Sequence, residues 1–459
     1  MSSASFNRVP KDVPLVDTKY RKIVTKIPVP ESLKIIEDLD RYESRSMHGQ
    51  FPIVWDKAEG FQVYDAWGNK WLDFTSTIFV ANSGHGHPEI VKAIGRTILK
   101  PLLHTYNYYT QERADYIKYL IDNTPSYLEK AFLLSAGTES TECALKLMRM
   151  HGQKIGKKRL GVIAFEGAWH GRTLGAQFMG YNQQQKEWVG YHDPNIHHIP
   201  FPYPWVKEAV NNPEKFFNDS IEKLMTDNGL TSNDLCGFMI ETFQGWGALF
   251  YQKEFIQALC KFAKANDILV TFDEMQAGFG RTGLLFGYMH YDVEPDLVCC
   301  GKGASSSLPL SFVLGSAELL DLPDVGSMSS THSANPMTCA AGKANFESIL
   351  NDNLIDNSRV LGHLFINILN NIKGEFPNHI SLVSGKGLLA AVHFHDKDRK
   401  PLSELCTNIC ETLMQRGLLV VCTGRETIKL APPLNITKDA LLEGLSVMRT
   451  TIGDCIKQC

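Results

Sequence analysis

A chain of 459 residues is too long for one compact core and suits two or three domains. With 44% hydrophobic residues, 21% charged residues and a formal charge of −4, the composition is that of a globular protein, not a disordered or collagen-like one, and it argues against nucleic acid as a partner. No run approaches the ~18 uninterrupted apolar residues of a membrane helix. The first residues carry no apolar signal-like core, and eleven scattered cysteines form no C-x-x-C pair, so a cytoplasmic protein without membrane, zinc site or disulfide framework is expected.

Residues 1–45 are charged and irregular and read as an N-terminal arm. From Phe61 to Phe74, FQVYDAWGNKWLDF alternates apolar and polar positions around Trp67-Gly68-Asn69, which predicts a hairpin. Residues 46–75, which contain it, are expected to form the N-terminal part of a smaller domain. Ile90, Val91, Ile94 and Ile98 have helical spacing within 87–100. Short β-rich runs then alternate with amphipathic stretches. AFLL (131–134) precedes GTESTECALKLMRM, GVIAF (161–165) and GFMIETF (237–243) follow, and EFIQALCKFAKAN precedes DILVTFDEM (267–275). That alternation implies βαβ units and a mostly parallel, buried sheet, so 76–335 is expected to be a large α/β domain. Beyond 335 the texture changes. ANPMTCAAGKANFESIL predicts a long helix, and LLAAVHF (388–394), GLLVVC (417–422) and TIKLAP (427–432) predict strands of a smaller α+β unit, 336–459.

Four strings carry chemistry. In TFDEMQAGFGRTG (271–283), Asp273 ends a predicted buried strand, where α/β sheets place ligands; a strand-end aspartate capping the next loop fits as well. In PDLVCCGKGASSSLPLSFVLG (295–315), Lys302 lies between Gly301 and Gly303, which leave room for something to approach its amine. A lysine in an apolar pocket becomes a nucleophile toward carbonyls, although a surface lysine in a glycine turn gives the same letters. In SAGTESTECALKLMR (135–149), Gly137 and Thr138 open a helix whose free N–H groups suit a phosphate, or form an ordinary cap. In FEGAWHGRTLG (165–175), Trp169 beside His170 can lie flat on a ring or pack in the core.

Jointly, a phosphate cradle, an aromatic plate, a strand-end acid and a glycine-flanked lysine are what pyridoxal phosphate requires. Over residues 50 to 450 the chain resembles the class III (omega-type) aminotransferases of fold-type I, and DEMQAGFGRTG is close to that family's most specific signature. The resemblance implies a large domain with a mostly parallel central sheet, plus a smaller α+β domain built from the two chain ends. It implies that Lys302 condenses with the aldehyde of pyridoxal 5'-phosphate and later shuttles the proton. Asp273 would hold the ring nitrogen, Gln276 the phenolic oxygen, Trp169 would stack on the ring with His170 beside it, and Gly137 and Thr138 would hold the phosphate. Thr331, in MSSTHSANP (328–336), matches a threonine that reaches the neighbouring subunit's phosphate, which implies a homodimer with shared active sites.

The resemblance breaks at the substrate. The family's carboxylate-gripping arginine before Pro-Pro-Leu is Lys429 in RETIKLAPPLNI (425–436), and lysine cannot make the planar two-bond clamp. Arg425 lies four residues earlier as a possible replacement. Glu241 matches a glutamate that pairs with that arginine in relatives. Trp55, Ile78 and Phe79 match the substrate entrance, or simply pack. The expected function is amino transfer from an amine, omega-amino or amino-sugar-like donor to a 2-oxo acid such as pyruvate or 2-oxoglutarate. An isomerase, racemase or lyase on the same fold and a non-catalytic scaffold are the alternatives. A nicotinamide dehydrogenase lacks its G-x-G-x-x-G after a first strand.

Overall fold

The computed structural model describes residues 6–458. A seven-stranded sheet forms its centre, in the order Lys130–Leu134, Ser311–Gly315, Leu297–Cys300, Leu269–Asp273, Leu235–Glu241, Gly161–Phe165, Ile196–Ile199. All strands run the same way except Ser311–Gly315, which is antiparallel to both neighbours. The inner strands are buried along their whole length, as a sheet covered on both faces requires.

Period-two alternation divides their side chains between two layers. Val162, Ala164, Met239, Leu269, Leu297, Cys299 and Val313 pack with Ala144, Leu147 and Met148 of the helix Gly137–Lys154. Ile163, Phe165, Phe238, Ile240, Val270, Phe272 and Val298 pack on the other face with Phe217 of Pro213–Asn228 and Phe255, Ile256 and Leu259 of Lys253–Ala265. By the same alternation Asp273 shares the face of Leu269, the side on which Gly137–Lys154 begins.

The hairpin forms from Gln62–Tyr64 and Lys70–Asp73, with Val63 opposite Trp71. Asp65 closes its turn by accepting from the N–H groups of Trp67 and Asn69, each at 2.9 Å. This hairpin belongs to a six-stranded sheet that Leu418–Leu419 joins from the far end of the chain, in register with Leu72 and Asp73. A four-stranded antiparallel sheet holds Ile380–Lys386, Leu389–Phe394, Thr427–Leu430 and Val421–Cys422. The N-terminal stretch expected to be irregular contains order: Val16–Asp17 pairs with Lys22–Ile23, and Leu33–Tyr42 is a helix. Among the described residues no helix is long and apolar enough to cross a membrane.

Candidate active site

The strand ends converge on a cavity of about 250 Å³ lined by Gly137, Thr138, Trp169, His170, Gly171, Glu241, Thr242, Phe243, Asp273, Met275, Gln276, Ala277 and Lys302. The topology explains the convergence. Asp273 and Glu241 end adjacent parallel strands as register partners, and Lys302 follows Leu297–Cys300 on the other side of Asp273. Trp169 and His170 follow Gly161–Phe165, and Gly137 and Thr138 follow Lys130–Leu134.

Lys302 has φ +44°, a left-handed backbone that a non-glycine residue adopts at a cost of about 1–2 kcal/mol. Among the described residues nothing accepts a hydrogen bond from its Nζ. Burial pulls its ammonium below the usual lysine range, against the opposing pull of Asp273 and Glu241. The flanking glycines are a matter of space: a Cβ on Gly301 would meet Met275 Sδ at 2.5 Å, and one on Gly303 would meet Asn82 Nδ2 at 2.3 Å. Gly137 faces the same sulfur, at 2.7 Å. Met275, which carries no chemical signal in the sequence, therefore shapes both the lysine turn and the helix start.

Asp273 is held from two sides. Oδ1 accepts from the Met275 N–H at 3.0 Å, and Oδ2 lies 2.9 Å from His170 Nδ1. At the opposite end, Glu139 accepts from the N–H groups of Ser135 and Ala136 at 2.8 and 2.9 Å. The N–H groups of Gly137 and Thr138 open the helix and have no intrahelical acceptor, the position where an anion is stabilised. Thr138 Oγ1 contacts Thr173 Oγ1 at 2.6 Å. A Cβ on Gly171 would press on Thr138 Oγ1 at 2.2 Å, so this wall also depends on a glycine. The Arg172 guanidinium lies 4.7 Å over the Trp169 ring.

Glu241 accepts from the N–H groups of Trp169 at 3.1 Å and Gly245 at 3.2 Å. Burial pushes its carboxyl up to about 7; His170 pulls it down and Asp273 pushes it up. Lys429 is buried beside this group, but it does not line the cavity. Its Nζ donates to Gln276 Oε1 at 2.9 Å and to the Gly245 carbonyl, and it lies 4.3 Å over the Phe79 ring. Burial lowers this lysine to about 7, with Glu241 opposing and Lys302 reinforcing the shift.

The remaining expected site residues lie elsewhere. Trp55 and Ile78 line a second cavity of about 420 Å³ together with Thr77 and Cys422, while Phe79 is buried. Ser76 to Phe79 all have positive φ, between 47° and 69°, forming a left-handed turn without a glycine. Arg281, which sequence reasoning left without a role, holds this turn. Fully buried, it donates to the carbonyls of Leu388 at 3.0 Å and Pro432 at 2.5 Å, to Ser76 Oγ at 3.2 Å and to Asn82 Oδ1 at 2.7 Å. Its signal was its place in GFGRTG, in the same string as Asp273 and Gln276. Arg425 is not brought to Lys302. It stacks 3.9 Å over Trp246, pairs with Glu426 at 3.2 Å, and lines a cavity of about 540 Å³ with Tyr203, Trp205 and His395. Thr331 is exposed in a turn, where its carbonyl accepts from His104 Nε2 at 2.9 Å.

These residues fit pyridoxal phosphate: a lysine amine without an acceptor, a twice-braced carboxylate, an anion-binding helix start and an aromatic wall enclose one cavity. The class III aminotransferase family matches residues 43–452. The alanine/serine racemase of Pyrococcus horikoshii is 30% identical, with 98% of this chain and 96% of that protein covered. The 4-aminobutyrate aminotransferase of Mycobacterium leprae is 30% identical, with 95% and 98% covered. Among solved structures, an (S)-enantioselective omega-transaminase from Thermomicrobium roseum matches with a TM-score of 0.83 at 26% identity, over 92% of this chain and 98% of that one.

Proposed function

The chain belongs to the class III aminotransferases, and on that premise we propose that it takes its amino group from an amine, omega-amino or amino-sugar-like donor and passes it to a 2-oxo acid such as pyruvate or 2-oxoglutarate. It is a pyridoxal-phosphate-dependent transaminase of fold-type I. The donor assignment rests on the carboxylate clamp: Lys429 stands where the arginine would be, and its donors are already bound to Gln276 and Gly245. The omega-transaminase and 4-aminobutyrate aminotransferase likenesses support the same donor class.

When bound, pyridoxal phosphate supplies an aldehyde for amines and a pyridinium ring that withdraws electrons from the reacting carbon. Lys302 Nζ, with no acceptor of its own, would be the amine that holds the cofactor's aldehyde end and the base that would move a proton at the substrate's reacting carbon. Asp273, fixed by Met275 N–H and His170, is the carboxylate for the ring nitrogen. The N–H groups of Gly137 and Thr138 would hold the phosphate, Gln276 would meet the phenolic oxygen, and Trp169 would cover a ring face. The free amine of Lys302 in a cavity shared with Asp273 carries the whole reading.

The proposal includes a homodimer in the cytoplasm. Thr331 sits in an exposed turn tied to the segment 102–109 by His104 Nε2 on its carbonyl and Asn335 Nδ2 on the Leu103 carbonyl, and Leu102, Leu103, Tyr108 and Tyr109 of that segment are exposed. An apolar surface next to the expected phosphate-reaching threonine is what a partner subunit would cover.

The test is Lys302→Ala. Loss of visible cofactor absorption and of turnover is expected, and retention of both would overturn the assignment. Donor alone should convert the cofactor to its amine form in a single half-reaction. A donor that loses its chirality while the spectrum recovers would instead mark a racemase.

A further inference from the structure

We infer that Lys429 is a positioning residue: it fixes the orientation of the Gln276 amide so that the Nε2 donor is the group left for the cavity. The inference rests on the reading that the cavity holds pyridoxal phosphate beside Lys302.

Lys429 lies on the strand Thr427–Leu430, between Ala391 on one neighbouring strand and Val421 on the other. The strand pairing carries its side chain inward, where it is only 4% exposed. An ammonium has three donors and no acceptor. Two of them go to Gln276 Oε1, at 2.9 Å, and to the Gly245 carbonyl, and the Phe79 ring covers the amine at 4.3 Å. Lys429 is absent from the cavity wall, whereas Gln276 is part of it, so the amine meets Gln276 rather than a molecule in the cavity.

The two ends of a glutamine amide have nearly the same shape, so only the bonding around them decides which end faces where. As an ammonium Lys429 offers donors only and draws the oxygen toward itself, a hold that weakens as pH rises past about 7, where burial favours the neutral amine. With Oε1 held by Lys429, the NH₂ group is left to meet an acceptor in the cavity. Among the described residues Nε2 has no hydrogen-bond partner. Gly245 keeps the corner tight: a Cβ there would meet Gln276 Nε2 at 2.6 Å and Glu241 Oε1 at 2.7 Å. The charged groups felt at Lys429 are Glu241 and Lys302, and Glu241 is already bonded to two backbone N–H groups. The lysine that replaces an arginine here therefore acts on the cofactor's oxygen through Gln276, and a substrate carboxylate is not its target.

The experiment compares two neutral replacements in the holoenzyme. Lys429→Gln keeps an N–H donor for Gln276 Oε1, whereas Lys429→Met removes it. The readouts are the pH midpoint of the holoenzyme's visible absorption and the dissociation constant of pyridoxal phosphate. Lys429→Met is expected to raise the midpoint by about one pH unit and to weaken cofactor binding several-fold. Gln276→Ala should do the same, and the Lys429→Met/Gln276→Ala double variant should go no further. Lys429→Gln, which can still offer an N–H but brings an acceptor and no charge, should shift the midpoint less than Lys429→Met. Equal shifts in the Met and Gln variants would mean that only the charge matters and would overturn the inference, as would additive shifts in the double variant or no shift in Lys429→Met. Lys429→Leu replaces the Met variant if that protein does not fold, and a Lys429→Gln midpoint as high as that of Gln276→Ala overturns the inference without either. A wild-type protein with no visible absorption would instead refute the cofactor reading itself.

Discussion

His170 Nδ1 lies 2.9 Å from Asp273 Oδ2, with both side chains closed off from solvent. A carboxylate has no proton to give, so the hydrogen sits on Nδ1. Nε2 is buried and has no partner among the described residues, so the one hydrogen bond the ring makes is the one that orients Asp273. His170→Phe keeps the ring volume and removes that donor. A hydrogen bond to a charged group contributes about 1.5–3 kcal/mol, so kcat/KM should fall roughly 10- to 150-fold. Cofactor affinity should weaken in parallel, measured by equilibrium dialysis. A variant with wild-type kinetics would show that the Met275 N–H alone suffices.

Met275 serves two glycines at once, since Gly137 and Gly301 would each drive a Cβ into its sulfur, at 2.7 and 2.5 Å. Gly301 has φ −175°, open to any residue, so only space excludes alanine there. Gly301→Ala should destabilise by about 1–3 kcal/mol in urea unfolding. In a Met275→Ala background most of that loss should vanish, a coupling of about 0.5–3 kcal/mol in a double-mutant cycle. Strict additivity would show that Met275 is not the obstacle.

The central sheet was legible because strands buried on both faces read as apolar runs: GVIAF is the strand Gly161–Phe165, and DILVTFDEM contains Leu269–Asp273. Lys302, Asp273, Trp169 and Gly137 were legible for a related reason, since each follows such a run and strand ends share one edge of a parallel sheet. The direction of Ser311–Gly315 was not, because an antiparallel strand inside a covered sheet has the same composition as its neighbours. Nor was the left-handed turn from Ser76 to Phe79, whose letters, Ser-Thr-Ile-Phe, include no glycine or asparagine to announce positive φ. It exists because distant groups hold it, Arg281 and the Ala431 carbonyl binding Ser76 Oγ among them. Arg425 was expected near the substrate on spacing alone. The aromatic face that holds it belongs to Trp246, far away in sequence.

That dependence makes Arg281 testable. It serves acceptors from three chain segments, and burial lowers its guanidinium to about 9, with Asp73 opposing. Arg281→Met fills similar space but leaves two carbonyls, Ser76 Oγ and Asn82 Oδ1 without their donor. Leaving a buried acceptor without its donor costs about 1–3 kcal/mol, and the loss should appear as a lower urea midpoint. The turn also places Ile78 in the second cavity, with Trp55; if that cavity admits the amine donor, its KM should rise more than kcat falls. An unchanged KM would separate the turn from substrate binding.

The exposed apolar residues beside Thr331 lead to a prediction about assembly. Tyr109 is 99% exposed, so Tyr109→Asp should leave the subunit's own fold intact while placing a charge on the proposed contact surface. Sedimentation should show monomers. Their affinity for pyridoxal phosphate should drop together with that of Thr331→Ala, which should remain dimeric. Monomers that bind cofactor as tightly as the wild type would remove Thr331 from the site.

Glu241 and Lys429 are shifted in opposite directions by the same burial, and the two contributions to stability have opposite pH slopes. Glu241, raised to about 7, binds protons more tightly in the folded state, so its contribution is fully present below its ordinary value of 4.5 and is lost as pH rises to about 7. Lys429, lowered to about 7, is favoured in its neutral form. Its contribution is present above its ordinary value of 10.5 and is lost as pH falls toward about 7. The pair therefore stabilises the fold least near neutrality, with macroscopic steps that belong to both groups together. Urea unfolding of the wild type and Lys429→Met at pH 7.5 and 9.5 isolates the lysine. Over that interval the wild type should gain about 1–2 kcal/mol relative to the variant, below the limit of about 1.4 kcal/mol per pH unit because Glu241 offsets part of the burial penalty. A difference independent of pH would mean that Lys429 keeps the affinity for protons of an exposed lysine, and its burial would then have to be compensated by a stronger pairing with Glu241.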